Sequence, residues 1–253
     1  MKKIIFFPIE IGLAHITRSL AVATELKKRG HDILFAIPQR KKMLAEKTGL
    51  KTGEIIEYTN TDEIKFAENL KNESFLLKQV KSELVLIDQF KPDYAVVDFR
   101  ISALTSCSLR NVPMFFLTGS GGLPYGCYLP NTGFSPFLHS ILSPVFQTII
   151  WKMKKRYFNR LAILTKKLGR NLDETTLIKA MIYVVPEAPT YLPALDERLK
   201  IHYVGPIFWK GFNSYNPKWL SSIKPNGKTV YISFGGTGFN SQKLIGLSTE
   251  LVN

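Results

Sequence analysis

Residues 2–38, KKIIFFPIEIGLAHITRSLAVATELKKRGHDILFAIP, restrict the fold more than any other stretch of the chain. Ile4 to Pro8 is an apolar run of strand length, and the loop that follows carries Gly12. Ile16, Leu20, Ala23 and Leu26 then recur close to the spacing of one helix face. Lys27, Lys28 and Arg29 crowd the last turn, where cations suit the helix dipole, and Gly30 suits the chain reversal that ends a helix. Residues 33–37 form a second apolar strand. A strand–helix–strand unit of this kind closes with a right-handed crossover. His15 then stands at the N-terminus of the first helix, above the carboxyl edge of the first strand, which is where open α/β sheets bind ligands.

The same alternation continues. Residues 39–48 read as a short polar helix before Gly49, 52–58 (TGEIIEY) as a third strand, and 59–73 as a polar loop. Residues 75–90 carry helical spacing through Leu77, Val80, Leu84 and Ile87, and Lys91-Pro92-Asp93 breaks it. YAVV (94–97) is a short buried strand ending at Asp98, followed by a small-residue helix at 102–109 and a strand at 112–117. Residues 119–133 are a glycine- and proline-rich loop. Residues 134–167 are helical, apolar first and basic later, with Pro144 expected to break or kink them. A helix at 172–180, with Asp173 and Glu174 in its first turn, and strands at 181–185 and 201–204 complete the series. This order predicts an α/β, Rossmann-like, doubly wound parallel sheet.

The expected first domain is 1–205. Residues 206–227 have linker composition, and 228–253 open a second strand–turn–helix unit with KTVYISF and a glycine turn. One strand and one helix cannot bury a core, so the chain is expected to end just inside a second domain.

Composition narrows the classes. Hydrophobic residues make up 45% and charged residues 21% of 253, which excludes wholesale disorder. Cys107 and Cys127 have neither metal-ligand spacing nor a disulfide framework, as in a reducing compartment. Glu10 closes the N-terminal apolar run early, and no run reaches bilayer-spanning length, so a cytoplasmic protein is expected. The net charge is +14, and no Asp or Glu occurs between Asp98 and Asp173. Such a field suits phosphorylated ligands, nucleic acid or an anionic membrane. Nucleic acid finds no supporting motif. The cluster Lys152, Lys154, Lys155 and Arg156 reads as a solvated face or, because it adjoins an apolar segment, as a peripheral membrane contact.

Several positions can carry chemistry. His15 as a neutral imidazole could take a proton from a hydroxyl; closing the helix start by hydrogen bonding fits its position equally. Asp98, at another strand end, could orient that ring and stabilise the charge formed on it, or could cap the next helix. One dyad explains both placements. Ser233, Gly235, Gly236 and Thr237 lie on a strand-to-helix turn whose backbone N–H groups suit an anion, and Gly12 is a weaker position of the same kind. Neither is a phosphate-loop or dinucleotide fingerprint. Tyr125, Tyr128, Phe134 and Phe137 could wall an apolar pocket, whereas Phe146 and Trp151 read as core.

IGLAHITRSLAVATELKKRGHDILFA resembles the opening of GT-B glycosyltransferases of the UDP-glycosyltransferase type. PDYAVVDF, NVPMFF, IHYVGPI and WL…KTVYISFGGTG follow in the family's order. The resemblance covers the whole chain and implies the N-terminal half of a GT-B fold, binding acceptor, plus the start of a nucleotide-sugar-binding domain. It implies His15 as the base that deprotonates the acceptor hydroxyl, Asp98 as its acidic partner, and Ser233, Gly235, Gly236 and Thr237 near the donor diphosphate. It further implies inverting transfer without a metal or a bound cofactor. The donor would be a UDP-sugar type of nucleotide-sugar and the acceptor apolar, small or lipid-like. Ala14 stands where the family has Gly, and Gly236 where Ser is common. Membrane-associated transfer to a lipid acceptor, a non-enzymatic binding module and an epimerase of the same architecture are the alternative readings.

Overall fold

The computed structural model describes residues 1–58, 71–124, 135–188, 199–211 and 221. In chain order these form β1 (Lys3–Pro8), α1 (Ala14–Lys28), β2 (Asp32–Ile37), α2 (Lys42–Glu46), β3 (Lys51–Glu54), α3 (Glu73–Phe90) and β4 (Tyr94–Asp98). There follow α4 (Ser102–Leu109), β5 (Met114–Leu117), α5 (Pro136–Lys167), α6 (Glu174–Lys179), β6 (Met181–Val185) and β7 (Lys200–Tyr203). All seven strands join one parallel sheet in the order β3-β2-β1-β4-β5-β6-β7. The direction of winding reverses between β1 and β4, so the crevice at their carboxyl ends is the topological switch point.

Both faces of the central strands are covered, so β1 is apolar and buried from Ile4 to Pro8 rather than alternating. Ile4 and Phe6 join Ile16, Leu20 and Ala23 of α1 in one cluster. Ile5 and Phe7 join Ala95, Val97 and the apolar side of α4 in the other. Phe6 and Phe7 are fully buried, and each such side chain contributes on the order of 2 kcal/mol by transfer from water. β1 and β4 run in register from Ile4↔Tyr94 to Pro8↔Asp98, which fixes the heights at which their two ends emerge.

Three expectations are corrected. The third strand ends at Glu54, not at residue 58. Beyond it the backbone is recruited by side chains: the Ile56 carbonyl accepts from Arg100 and the Tyr58 N–H donates to Glu10. Pro144 does not end the long helix, which runs unbroken over 32 residues. Its missing N–H frees a single carbonyl, that of exposed Ser140, where water can serve. Asp173 lies just outside α6 as its cap, its carboxylate accepting from the Thr176 N–H at 2.6 Å. Residues 212–220 and 222–227 of the linker and the second unit at 228–253 lie outside the described residues, as do Cys127, Tyr125, Tyr128 and Phe134.

Candidate active site

His15 and Asp98, far apart in the chain, meet above the switch point. His15 is the second residue of α1, and Asp98 is the last residue of β4. The imidazole Nδ1 lies 2.7 Å from Asp98 Oδ1. Facing a carboxylate, Nδ1 carries the proton, which leaves Nε2 as the acceptor. Asp98 is fully buried, while the His15 side chain keeps 28% of its surface open. The ring is thus held on one edge and available on the other.

Two further side chains converge on the same carboxylate, both about one turn beyond His15 in α1. Arg18 donates from Nε to Oδ2 at 3.0 Å and from Nη2 to Oδ1 at 2.5 Å. Ser19 donates to Oδ2 at 3.0 Å. Arg18 Nη2 and His15 Nδ1 lie 3.2 Å apart because both donate to Oδ1; two protonated nitrogens do not bond each other. A buried carboxylate costs several kcal/mol unless its lone pairs are filled, and four donors fill these. The Asp98 carboxylate therefore does not cap α4, whose start has no side-chain cap.

Phe99 turns the chain out of β4 with a left-handed φ of 59°, a strained conformation for a non-glycine residue. The turn sets its ring 5.6 Å from the imidazole and 6.5 Å from Phe116. Behind this ring lies a cavity of about 190 Å³ whose walls are almost wholly apolar, formed by Ile101, Leu104 and Phe116 on one side and Tyr157, Phe158 and Leu161 of α5 on the other. At its rim, Lys154 donates to the carbonyls of Gly121 and Leu123, both at 2.6 Å, tying α5 to the loop after β5. Gly122 is needed there: a Cβ would stand 1.8 Å from Thr118 Oγ1 and 3.0 Å from Phe99.

Beneath the rim lies a second charged cluster, fully sealed. Arg100, two residues after Asp98, donates to Glu83 at 2.6 Å and to Glu10 at 3.0 Å. It also donates to the Ile56 carbonyl at 2.8 Å and to Gln79 Oε1. Ser102 and Ser106 complete Glu83 at 2.6 Å each. Burial pushes the Glu10 carboxyl above its ordinary range, against the pull of Arg100. Burial also pushes the Tyr58 hydroxyl up to about 12. Reading the sequence missed Arg18, Ser19 and this network. A faint signal exists: Gln79 and Glu83 interrupt the apolar face of α3 that Leu76, Val80 and Ile87 bury.

Of the remaining predicted positions, Gly12 lies in the loop before α1 with a φ of 73°, which glycine adopts without strain. Ser233, Gly235, Gly236 and Thr237 lie outside the described residues. Trp151 packs against the core as expected, whereas Phe137 is exposed on α5 rather than walling a pocket.

This architecture has relatives among solved structures. The spinosyn forosaminyltransferase SpnP superposes with a TM-score of 0.60 over 87% of this chain and 54% of its own, at 13% identity. SnogD, a glycosyltransferase from Streptomyces nogalater, superposes with a TM-score of 0.56 over 89% and 56%, at 16% identity. The fold is that of the GT-B glycosyltransferases. Sequence relatives bear glycosyltransferase names. The PGL/p-HBAD biosynthesis rhamnosyltransferase of Mycobacterium bovis is 23% identical over 258 residues, covering 94% of this chain and 55% of that protein. An uncharacterized glycosyltransferase of Methanosarcina acetivorans is 28% identical over 94% of this chain and 58% of its own length. The chain spans about half the length of these curated relatives. No family model matches it.

Proposed function

We propose that this GT-B domain binds the acceptor in an inverting glycosyl transfer, with His15 as general base. One observation carries the reading: the His15–Asp98 contact at 2.7 Å, which leaves Nε2 free at the switch-point edge beside an apolar cavity. Nε2 takes the proton of an acceptor hydroxyl as its oxygen attacks the anomeric carbon of a nucleotide-sugar from the opposite face. The nucleoside diphosphate leaves, and the configuration inverts. Asp98 holds the tautomer and stabilises the imidazolium as it forms. The apolar body of the acceptor lies in the cavity behind Phe99. The donor, a UDP-sugar or another nucleoside diphosphate sugar, is bound by the second domain; a glycosyltransferase of this fold, SsfS6, has been solved with thymidine diphosphate.

The test is transfer by the full-length protein, from a donor found by a nucleotide-sugar hydrolysis screen to a panel of apolar acceptors. His15→Ala should lower turnover by about 10²–10⁴, the usual worth of a general base. Undiminished turnover excludes the role. A second reading, transfer to a lipid or lipid-linked acceptor, is favoured by the outer face of α5.

A further inference from the structure

The helix α5 has two faces with different environments. Its inner face supplies Tyr157, Phe158 and Leu161 to the cavity wall. The opposite face follows residues three or four apart: Leu138, Ile141, Val145, Ile149, Lys152, Arg156 and Arg160. Every one of these is exposed. Ile141, Val145 and Ile149 are each more than half open to solvent, at 51%, 55% and 52%. The outer face thus changes character along its length of about 48 Å. The first four residues of this row are apolar, and the next three are cationic.

Lys152, Arg156 and Arg160 make no ion pair among the described residues, whereas Lys155 and Lys167, beside the same face, are paired with Glu174 and Glu73. No acidic residue occurs from 99 to 172, so nothing within this stretch neutralises them. A basic row alone would be an ordinary solvated face. An aliphatic row alone would fit any apolar partner. The two in series on one helix face match a surface that is apolar inside and anionic at its boundary. Phosphate backbones of nucleic acid give no use to exposed Ile and Val at this spacing. No described helix is long and apolar enough to cross a bilayer, so contact would be from the side.

We infer that the outer face of α5 docks this protein on an anionic membrane surface, with Leu138, Ile141, Val145 and Ile149 in the acyl boundary and Lys152, Arg156 and Arg160 on the headgroups. The docking does not depend on the transferase reading. Its consequence does: one helix would separate the bilayer from the acceptor cavity, which suits an acceptor drawn from the membrane.

The test is co-sedimentation of the full-length protein with vesicles of phosphatidylcholine alone and with added phosphatidylglycerol. Binding should require the anionic lipid and weaken with salt. The triple variant Lys152→Glu, Arg156→Glu and Arg160→Glu should lower partitioning by about a hundredfold or more, since each cation near such a surface is worth roughly a fivefold change. Ile141→Ser, Val145→Ser and Ile149→Ser together should abolish binding at high salt while leaving the circular dichroism spectrum unchanged. Three results overturn the proposal. These are no binding of the wild-type protein to anionic vesicles, binding of both variants equal to wild type, and a serine variant whose mass in solution differs from wild type, which assigns the face to a second copy. Co-sedimentation reads no chemistry, so its failure leaves the His15 test untouched.

Discussion

Two carboxylate–guanidinium clusters sit within a few residues of each other at the ends of β1 and β4, and they do different work. At the rim, Asp98 takes Arg18, Ser19 and His15, and the imidazole keeps one nitrogen open. On the floor, Arg100 takes Glu10, Glu83, Gln79 and a main-chain carbonyl, and nothing faces solvent. The residue types are nearly the same. What separates the rim from the floor is whether the last member of the chain of contacts reaches the crevice, as the 28% exposed His15 side chain does.

Substitutions can break this contrast. The largest effect is expected at the rim: if His15 is the proposed base, Asp98→Asn in the full-length protein should lower kcat by about 10⁴, because an amide no longer dictates which imidazole nitrogen is protonated. Turnover within a few-fold of wild type would remove Asp98 from the mechanism. On the floor, Arg100→Met should cost about 3–5 kcal/mol of stability, since it strands buried carboxylates. Urea midpoints measure it, and a loss under about 1 kcal/mol would mean that the two glutamates tolerate solitude there.

Smaller changes sharpen the contrast. Gly122→Ala pushes on Thr118 and on the Phe99 ring, so it should raise the acceptor KM with kcat less affected, at a stability cost of about 1–3 kcal/mol. An unchanged KM would detach the cavity from acceptor binding. The smallest effect concerns Glu10. Its carboxyl is raised from 4.5 by burial, so between 4.5 and the raised value the folded state binds more protons than the unfolded state. Stability from this group therefore falls as pH rises through that window, and Glu10→Gln should flatten the slope in urea titrations. A steeper slope in the variant would contradict it.

Much of the rim could be read from the chain. His15 follows a strand by a short loop and Asp98 ends an apolar strand, and parallel winding brings such ends to one edge. Arg18 could not be read this way: an arginine near a helix start is ordinary, and only the approach of α1 to the end of β4 aims it at Asp98. The floor was harder still. Glu10, Glu83 and Arg100 come from the loop after β1, from α3 and from the loop after β4, and each alone looks like a surface charge.

The sequence by itself determined the strands, the helices and their parallel winding, because apolar period and turn residues act over a few positions at a time. It also placed His15 at the start of the first helix and Asp98 at a strand end, both at the carboxyl edge of the sheet. Only the tertiary structure decided which charges are sealed and which reach the crevice, and that no described element covers the outer face of α5. Burial and partnership of a charge depend on elements distant in the chain, whose approach is set by the packing of the whole sheet.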